Sequence, residues 1–245
     1  MLSDQSHTPV SKRSEPQTSE AGATSAVPAC PRPQAIAAVP LVIAIDGPSG
    51  TGKTTLARTL AERLGGVSLH TGRHYRSVAL AAIQAGISTS DEPAVAAFMD
   101  TMQPTLDEQG NLRLGGRAYA IEELESAAMD AAVSAVSNND AVRARLIDLQ
   151  REWIHARVQN GRSVVVEGRD ACTQIAPDAH ARFYLNASAA ERAARRSSQR
   201  ESLELTLPSI QAELVRRDAA DQGHGRTTPD TPGVTVIGTD RVPTA

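Results

Sequence analysis

Residues 47–54, GPSGTGKT, have the spacing G-x-x-x-x-G-K-S/T of a phosphate-binding loop without a mismatch. In such a loop the glycines let successive backbone N–H groups turn towards nucleotide phosphates at the positive end of the next helix. Lys53 adds a point charge to those phosphates, and the Thr54 hydroxyl is an oxygen ligand suited to Mg²⁺. The pattern predicts a nucleoside triphosphate and Mg²⁺, with the nucleotide phosphates bound within Gly47, Pro48, Ser49, Gly50, Thr51, Gly52, Lys53, Thr54 and Thr55.

A chance match is the alternative, since the fixed positions of this motif recur in roughly one chain in a hundred. The context argues against chance. An unbroken apolar run, LVIAI at 41–45, precedes the loop, and a helical pattern of leucines follows it. Apart from Lys12, Lys53 is the only lysine in the chain, which argues against an ordinary surface charge. The stretch is therefore interpreted as strand, loop and helix.

Another apolar strand, SVVVE at 163–167, ends in a carboxylate and is followed by Arg169 and Asp170. Enzymes with a phosphate-binding loop hold Mg²⁺ with the loop hydroxyl and a strand-end carboxylate. We therefore expect Thr54 and Glu167 to form the metal site. Arg169 and Asp170 either face the nucleotide crevice or form a structural ion pair, and the residue types leave both open.

Arginines follow other predicted strands and helices. HTGRHYR at 70–76 comes directly after a short strand, so Arg73 and Arg76 should face the crevice at the carboxyl ends of parallel strands. An ordinary polar helix start is the alternative. ERAARR at 191–196 is either a solvated helix face or a cation cluster near the nucleotide base. RRDAAD at 216–221 leads into a loop, which is typical of a mobile arginine-bearing segment that closes over phosphates.

The chain of 245 residues is long enough for one α/β domain with a tail. Residues 1–39 are rich in Ser, Thr, Pro, Ala and Gln without periodicity, so we expect a disordered tail followed by one domain at 40–245. The acidic, Ala-rich residues 88–138 are interpreted as an inserted subdomain with a small hairpin. An amphipathic helix is predicted from Asp140, which acts as its N-cap. Strands are predicted at 41–45, 67–69, 163–167, 182–185 and 234–237.

The formal net charge of −3 and the lack of a basic run argue against a nucleic-acid polymer or a membrane surface as partner. Small-molecule nucleotides held by local arginines are expected instead. Only two cysteines occur, Cys30 and Cys172, so a reducing cytoplasm is the simpler assumption. The first residues do not have the pattern of a signal peptide, and no apolar stretch reaches the roughly 18 residues of a membrane span. We expect a cytoplasmic, unexported monomer.

The motifs IAIDGPSGTGKTT, TGRHYR, VRARLIDLQR, VVVEGRD, ERAARR and RRDAAD, in this order and spacing, resemble those of bacterial cytidylate (CMP/dCMP) kinases over about residues 40–240. The resemblance implies a five-stranded parallel α/β core, an inserted nucleotide-monophosphate subdomain, a short lid at 217–230, and phosphoryl transfer from ATP to CMP or dCMP. The implied catalytic residues are Lys53, Arg169, Arg217 and Arg226. The implied acceptor ligands are Arg76, Arg169 and Arg217 at the phosphate, Thr71 in the pocket, Asp170 at the base and Asp221 at the sugar.

Several residues near the expected acceptor site depart from that family. His70 replaces the usual Asp, Arg73 replaces a small residue, and Glu125 falls where the cytosine-reading arginine of the insert is expected. An ionised Glu offers only hydrogen-bond acceptors to the O2 and N3 acceptors of cytosine. CMP should therefore be a weaker acceptor here than for an ordinary member of that family, by roughly 10- to 100-fold. Arg73 and His74 are candidate substitute donors.

Two other functions are kept as alternatives. The departures are compatible with a paralogue that phosphorylates a different small phosphorylated acceptor in a specialised pathway. The last lid arginine of the family falls on His224 unless a gap of two moves it to Arg226. A lid too degraded for transfer would leave a non-catalytic ATP-binding module. Neither alternative changes the inference of ATP binding at 47–54.

Overall fold

The computed structural model describes residues 39–124, 129–199, 206–220 and 225–240. The predicted tail at 1–39 lies outside the described residues, apart from Val39. The strands are β1 (Val42–Asp46), β2 (Val67–His70), β3 (Thr105–Leu106), β4 (Leu112–Leu114), β5 (Arg117–Ala118), β6 (Val164–Gly168), β7 (Ala181–Asn186) and β8 (Thr235–Gly238). The helices are α1 (Lys53–Arg63), α2 (Thr71–Gln84), α3 (Glu92–Thr101), α4 (Ile121–Leu124), α5 (Met129–Asn138), α6 (Asp140–Gln159), α7 (Ala189–Gln199) and α8 (Leu207–Ala220), with a π-helical turn at Ala171–Ile175.

The central sheet has five parallel strands in the order β2-β6-β1-β7-β8, which confirms the predicted α/β fold. Its inner strands are apolar runs covered on both faces, as parallel sheets require: Val164, Val165 and Val166 are fully buried. The register pairs Asp46 with Gly168 on the neighbouring strand. It also pairs His70 with Glu167. The last residues of β1, β2 and β6 therefore lie side by side at one edge of the sheet, where ligands of open α/β sheets bind.

A small antiparallel sheet, β3-β4-β5, lies within the predicted insert at 88–138. The predicted hairpin is present, and it turns at Gly115 and Gly116, whose φ angles are 57° and 81°. Two central residues with positive φ match the turn that suits the twist of a hairpin, and glycine adopts them without strain. Leu112 and Leu114 of β4 are buried in a core cluster with Val78 of α2.

Two helices of the core hold the loop between β3 and β4. His74 of α2 donates from Nε2 to the Gly110 carbonyl at 2.8 Å, and its Nδ1 accepts from Gln150 Nε2 of α6 at 2.9 Å. Trp153 of α6 donates from Nε1 to the Asp107 carbonyl at 2.7 Å. Both nitrogens of the buried His74 ring are thus engaged. The prediction that His74 donates to an acceptor molecule is therefore wrong. The apolar periodicity of α2 did not reveal that this polar side chain faces the core.

We expect His74 to make the stability of the folded chain depend on pH. Burial lowers the pKa of His74 from its ordinary 6.5 to about 4, so the folded chain holds a neutral ring. Its contribution is full above pH 6.5 and is lost as pH falls towards about 4, because only the unfolded chain takes up a proton in that window. The loss amounts to about 3 kcal/mol in the free energy of unfolding.

Urea unfolding between pH 4 and 8 measures this dependence. The His74→Gln variant should lose the slope, whereas His155→Gln, at an exposed position of α6, should keep it. Equal slopes in the wild type and His74→Gln would show that the buried histidine does not carry the effect.

The long helix α6 begins at Asp140 as predicted, but its N-cap is Asn139. The Asn139 Oδ1 accepts from the backbone N–H groups of Ala141 and Val142 at 3.1 and 3.3 Å. Asn and Asp cap helices about equally well, so two adjacent candidates cannot be separated by residue type. Within the described residues, no helix is long and apolar enough to cross a membrane.

Candidate active site

The phosphate-binding loop joins β1 to α1 and depends on glycine at its two ends. A Cβ at Gly47 would lie 2.2 Å from the Leu185 carbonyl oxygen, so the neighbouring strand β7 excludes any side chain there. Gly52, with φ 89°, is the N-cap of α1, and no other group lies within 4 Å of a Cβ built on it. The first turn of α1 carries no acidic residue. The open backbone at a positive helix end fits a bound phosphate group.

Lys53 lies across the inside of this loop. Its Nζ donates to the Pro48 carbonyl at 2.8 Å, and the same carbonyl accepts from the Thr51 hydroxyl at 3.0 Å. Only 8 % of Lys53 is exposed, so the loop shields this side chain from solvent and holds it in place. The charge of Lys53 is therefore placed in advance at the position where the motif expects phosphates.

The two predicted metal ligands are in contact. Thr54 Oγ1 donates to Glu167 Oε1 at 3.1 Å. His70 Nδ1 lies 3.2 Å from the same carboxylate oxygen, and Ser68 Oγ lies 3.1 Å from His70 Nε2. Since a carboxylate accepts, His70 donates from Nδ1, and its Nε2 is hydrogen-bonded to the Ser68 hydroxyl. This chain of hydrogen bonds orients the Glu167 carboxylate.

Glu167 keeps its charge although it is buried. Burial acts to raise its pKa, but the hydrogen bond from His70, the charge of Lys53 and the hydroxyl of Thr54 together outweigh burial, and the pKa of Glu167 is lowered. An ionised carboxylate and a hydroxyl are the hard oxygen ligands that Mg²⁺ takes. The described residues contain no group of three or more His, Cys, Asp or Glu side chains that could hold a metal. Thr54 and Glu167 suit Mg²⁺, which is usually bound through one or two carboxylates together with substrate phosphates and water.

Two of the predicted acceptor-site arginines lie at opposite boundaries of the crevice. Arg169 donates from Nη1 to the Gly47 carbonyl, so it lies against the phosphate-binding loop. Arg76 donates from Nη1 to the Leu124 carbonyl at 2.7 Å, at the joint between α2 and α4. Thr71 donates its hydroxyl to the Glu167 carbonyl at 3.0 Å and is buried. The Thr71 hydroxyl therefore braces α2 against β6.

Asp170 forms a buried ion pair. Its Oδ2 lies 2.6 Å from Arg143 Nη2, and the two residues are only 2 % and 4 % exposed. The alternative of a structural Arg–Asp pair is thus correct in kind, but the partner is Arg143 of α6 and not Arg169. Sequence reasoning missed Arg143 because an arginine in the first turn of an amphipathic helix resembles an ordinary surface residue.

Asp46, at the end of β1, is a second residue that the motif search missed. Its fully buried carboxylate accepts from the backbone N–H of Ala171 and Cys172 at 3.0 and 2.7 Å, and from Thr227 Oγ1 at 2.6 Å. Burial raises the pKa of Asp46 in spite of these hydrogen bonds. The Thr227 N–H in turn donates to the Arg169 carbonyl at 2.9 Å. Asp46 thereby fixes the loop that carries Arg169 beside the phosphate-binding loop. The sequence does contain a signal for this role, because Asp46 ends an apolar strand and directly precedes Gly47.

The arginines of α7 support the other side of the phosphate-binding loop. Arg192 donates from Nη1 to the Ser49 carbonyl at 3.2 Å and lies 2.7 Å from Asp218 Oδ2 of α8. Arg192 and Arg195 are 5 % and 9 % exposed, so the interpretation of a solvated helix face is wrong for these two. Arg192 ties α8, the helix that leads into the predicted lid, to the loop.

Of the lid residues predicted to act on the substrates, Arg226 has side-chain contacts in the structure. Its Nη2 lies 3.4 Å from the Ser137 carbonyl and 3.5 Å from the Ser137 hydroxyl, at the end of α5. Arg217 lies in α8, while Asp221 and His224 lie outside the described residues. Glu125 of the insert also lies outside them, so the expected loss of the base-reading arginine stays a prediction.

The parallel sheet, the glycine-bearing loop at the start of α1 and the charged residues at the ends of β1 and β6 define a P-loop kinase. Residues 43–241 match the family described as cytidylate kinase, and the chain belongs to that family. A cytidylate kinase from Symbiobacterium thermophilum is 40 % identical over 190 residues, which cover 76 % of this chain and 82 % of that protein. Similar enzymes from Pelotomaculum thermopropionicum and Mycobacterium avium are 40 % and 41 % identical, over 73 % and 74 % of this chain and 79 % of each relative.

Proposed function

We propose that this chain transfers the γ-phosphoryl group of ATP to CMP or dCMP, giving ADP and CDP or dCDP. The observation that carries the proposal is the contact between the Thr54 hydroxyl and the charged Glu167 carboxylate, beside a phosphate-binding loop that holds Lys53. Membership of the cytidylate kinase family supports CMP or dCMP as the acceptor.

The reaction needs positioning and charge neutralisation more than proton transfer. The acceptor phosphate has a second pKa near 6, so it is largely ionised at neutral pH and requires no general base. Backbone N–H groups of the loop and Lys53 bind the donor phosphates, and this pre-organisation lowers the entropic part of the barrier. Thr54 and Glu167 would hold Mg²⁺, which when bound neutralises charge on the donor phosphates.

Arginines supply the remaining positive charge. Arg169 lies on the Gly47 carbonyl, so its guanidinium is close to the loop that binds the donor. Arg76 lies at the joint with α4, on the insert side of the crevice. In the proposed mechanism these two bind the acceptor phosphate, and Arg217 and Arg226 add charge from the lid. Arginines in such roles change rates by about 10³–10⁵.

A panel of nucleoside monophosphates, incubated with ATP and Mg²⁺ and analysed by mass spectrometry, tests this function. We expect CDP and dCDP to form faster than the diphosphates of AMP, GMP or UMP, and to disappear when EDTA removes the metal. Preferred transfer to another phosphorylated acceptor would favour the specialised paralogue. ATP binding without transfer to any acceptor would favour the non-catalytic module.

A further inference from the structure

A cleft of about 210 Å³ separates α2 from the insert. On the core side it is lined by His70 at the end of β2 and by Arg73 of α2, and on the insert side by Gly110, Leu112 and Leu124. Leu112 and Leu124 are almost fully buried, so part of the wall is apolar and fixed. The cleft begins beside His70, which is hydrogen-bonded to Glu167, and is thus continuous with the edge of the sheet where the charged site lies.

Most polar side chains around this cleft already have partners. The Ser77 hydroxyl donates to the Arg73 carbonyl at 3.0 Å, both ring nitrogens of His70 are engaged, and Asn111 Nδ2 donates to Asp107 Oδ2 at 3.1 Å. Among the residues that the structure describes, no Asp or Glu lines the cleft. The half-buried Arg73 differs from these residues: its guanidinium makes no hydrogen bond or ion pair with any residue that the structure describes.

We infer that Arg73 reads the base of the acceptor nucleotide, an inference that rests on the function proposed above. Cytosine presents two adjacent acceptors, O2 and N3, and the guanidinium fork can donate to both at once. The resemblance assigns this task to an arginine of the insert, where this chain has Glu125. Arg73 on α2 would supply, from the opposite wall of the cleft, the donors that the insert lacks.

The composition of the cleft favours a base over a phosphate as the group that contacts Arg73. Small-molecule sites that hold flat rings combine apolar walls with a few oriented polar groups, which describes Leu112, Leu124 and Arg73. Arg169 follows β6 and contacts the phosphate-binding loop, so the phosphate of the acceptor is expected at that edge of the sheet and its base further along the cleft. Because N3 of uracil carries a hydrogen, it meets the Arg73 donors unfavourably. Arg73 should therefore select CMP over UMP.

Steady-state kinetics of Arg73→Ala and Arg73→Gln, with CMP and with UMP, test the inference. We expect KM for CMP to rise roughly 10- to 100-fold, as for one lost pair of hydrogen bonds to a base. The value of kcat should change less than about threefold, KM for ATP should stay the same, and the preference for CMP over UMP should fall. The control Arg145→Ala, at an exposed position of α6, should leave all of these values unchanged.

The double variant Arg73→Ala/Glu125→Arg returns an arginine to the insert and should lower KM for CMP again. Calorimetric titration with CMP alone gives a readout that does not depend on phosphoryl transfer. An unchanged CMP affinity and CMP/UMP ratio in Arg73→Ala, with wild-type transfer to CMP intact, would overturn the inference and leave the proposed function standing. CMP binding that needs Arg73, in a wild type that transfers nothing, would support the inference and contradict the proposed function.

Discussion

The Lys53→Ala variant should lose phosphoryl transfer, with kcat lowered by about 10²–10³-fold or more, as when one donor that stabilises transition-state charge is removed. Lys53 Nζ is held by the Pro48 carbonyl inside the loop, so its charge already lies beside the expected phosphate positions when the γ-phosphoryl group is transferred. The charge also contributes to keeping Glu167 ionised, so its removal weakens the carboxylate that we propose binds Mg²⁺ as well.

The matched control is Arg58→Ala, which removes a cation from an exposed position of α1. It should keep the wild-type kcat. Circular dichroism and thermal melting should show that Lys53→Ala is folded, although burial of the side chain allows a small fall in melting temperature. Wild-type turnover in Lys53→Ala would remove the loop from the mechanism, and complete unfolding would instead make Lys53 structural.

Asp170→Ala should lower the free energy of unfolding by about 3–5 kcal/mol, because it removes the carboxylate that balances the charge of the buried Arg143 guanidinium. The ion pair at 2.6 Å is almost inaccessible to water, so neither solvent nor salt compensates for the loss of one partner. Urea unfolding of Asp170→Ala measures the effect. Replacing both partners by apolar residues of similar volume, Arg143→Met with Asp170→Leu, should recover much of the stability.

A double-mutant cycle of the wild type, Arg143→Met, Asp170→Leu and the double variant separates two roles for Asp170. A structural pair gives a large coupling energy between Arg143 and Asp170. If Asp170→Ala kept the wild-type stability within 1 kcal/mol and raised only KM for CMP, the carboxylate would serve the base, as the family resemblance implies, and the account of a structural ion pair would be wrong.

The donor side of the site was predictable from sequence because its determinants are local. The phosphate-binding loop is one continuous motif, and Thr54 and Glu167 each follow from a strand, a loop and a rule about where parallel strands end. The buried apolar runs of β1 and β6 indicated the same arrangement through periodicity alone. These features depend on residues that are neighbours in the chain.

The partners of the buried charges could not be predicted in this way. Asp46 meets the hydroxyl of Thr227, 181 positions further along the chain, and Asp170 meets Arg143 on a helix that precedes it. Such pairs arise from tertiary packing. The sequence contains several arginines that could pair with a carboxylate at a strand end, so it does not identify the partner. The ring of His74 illustrates the same limit, because a half-turn of α2 decides whether a side chain faces the cleft or the core.

The most direct test of the account is a single-turnover experiment with γ-labelled ATP, excess enzyme, Mg²⁺ and CMP. We expect the label to appear in CDP within one turnover, and to stay in ATP when Lys53→Ala replaces the wild type. Label that remains in ATP with the wild-type chain, or that appears only as inorganic phosphate, would contradict a phosphotransferase acting on CMP.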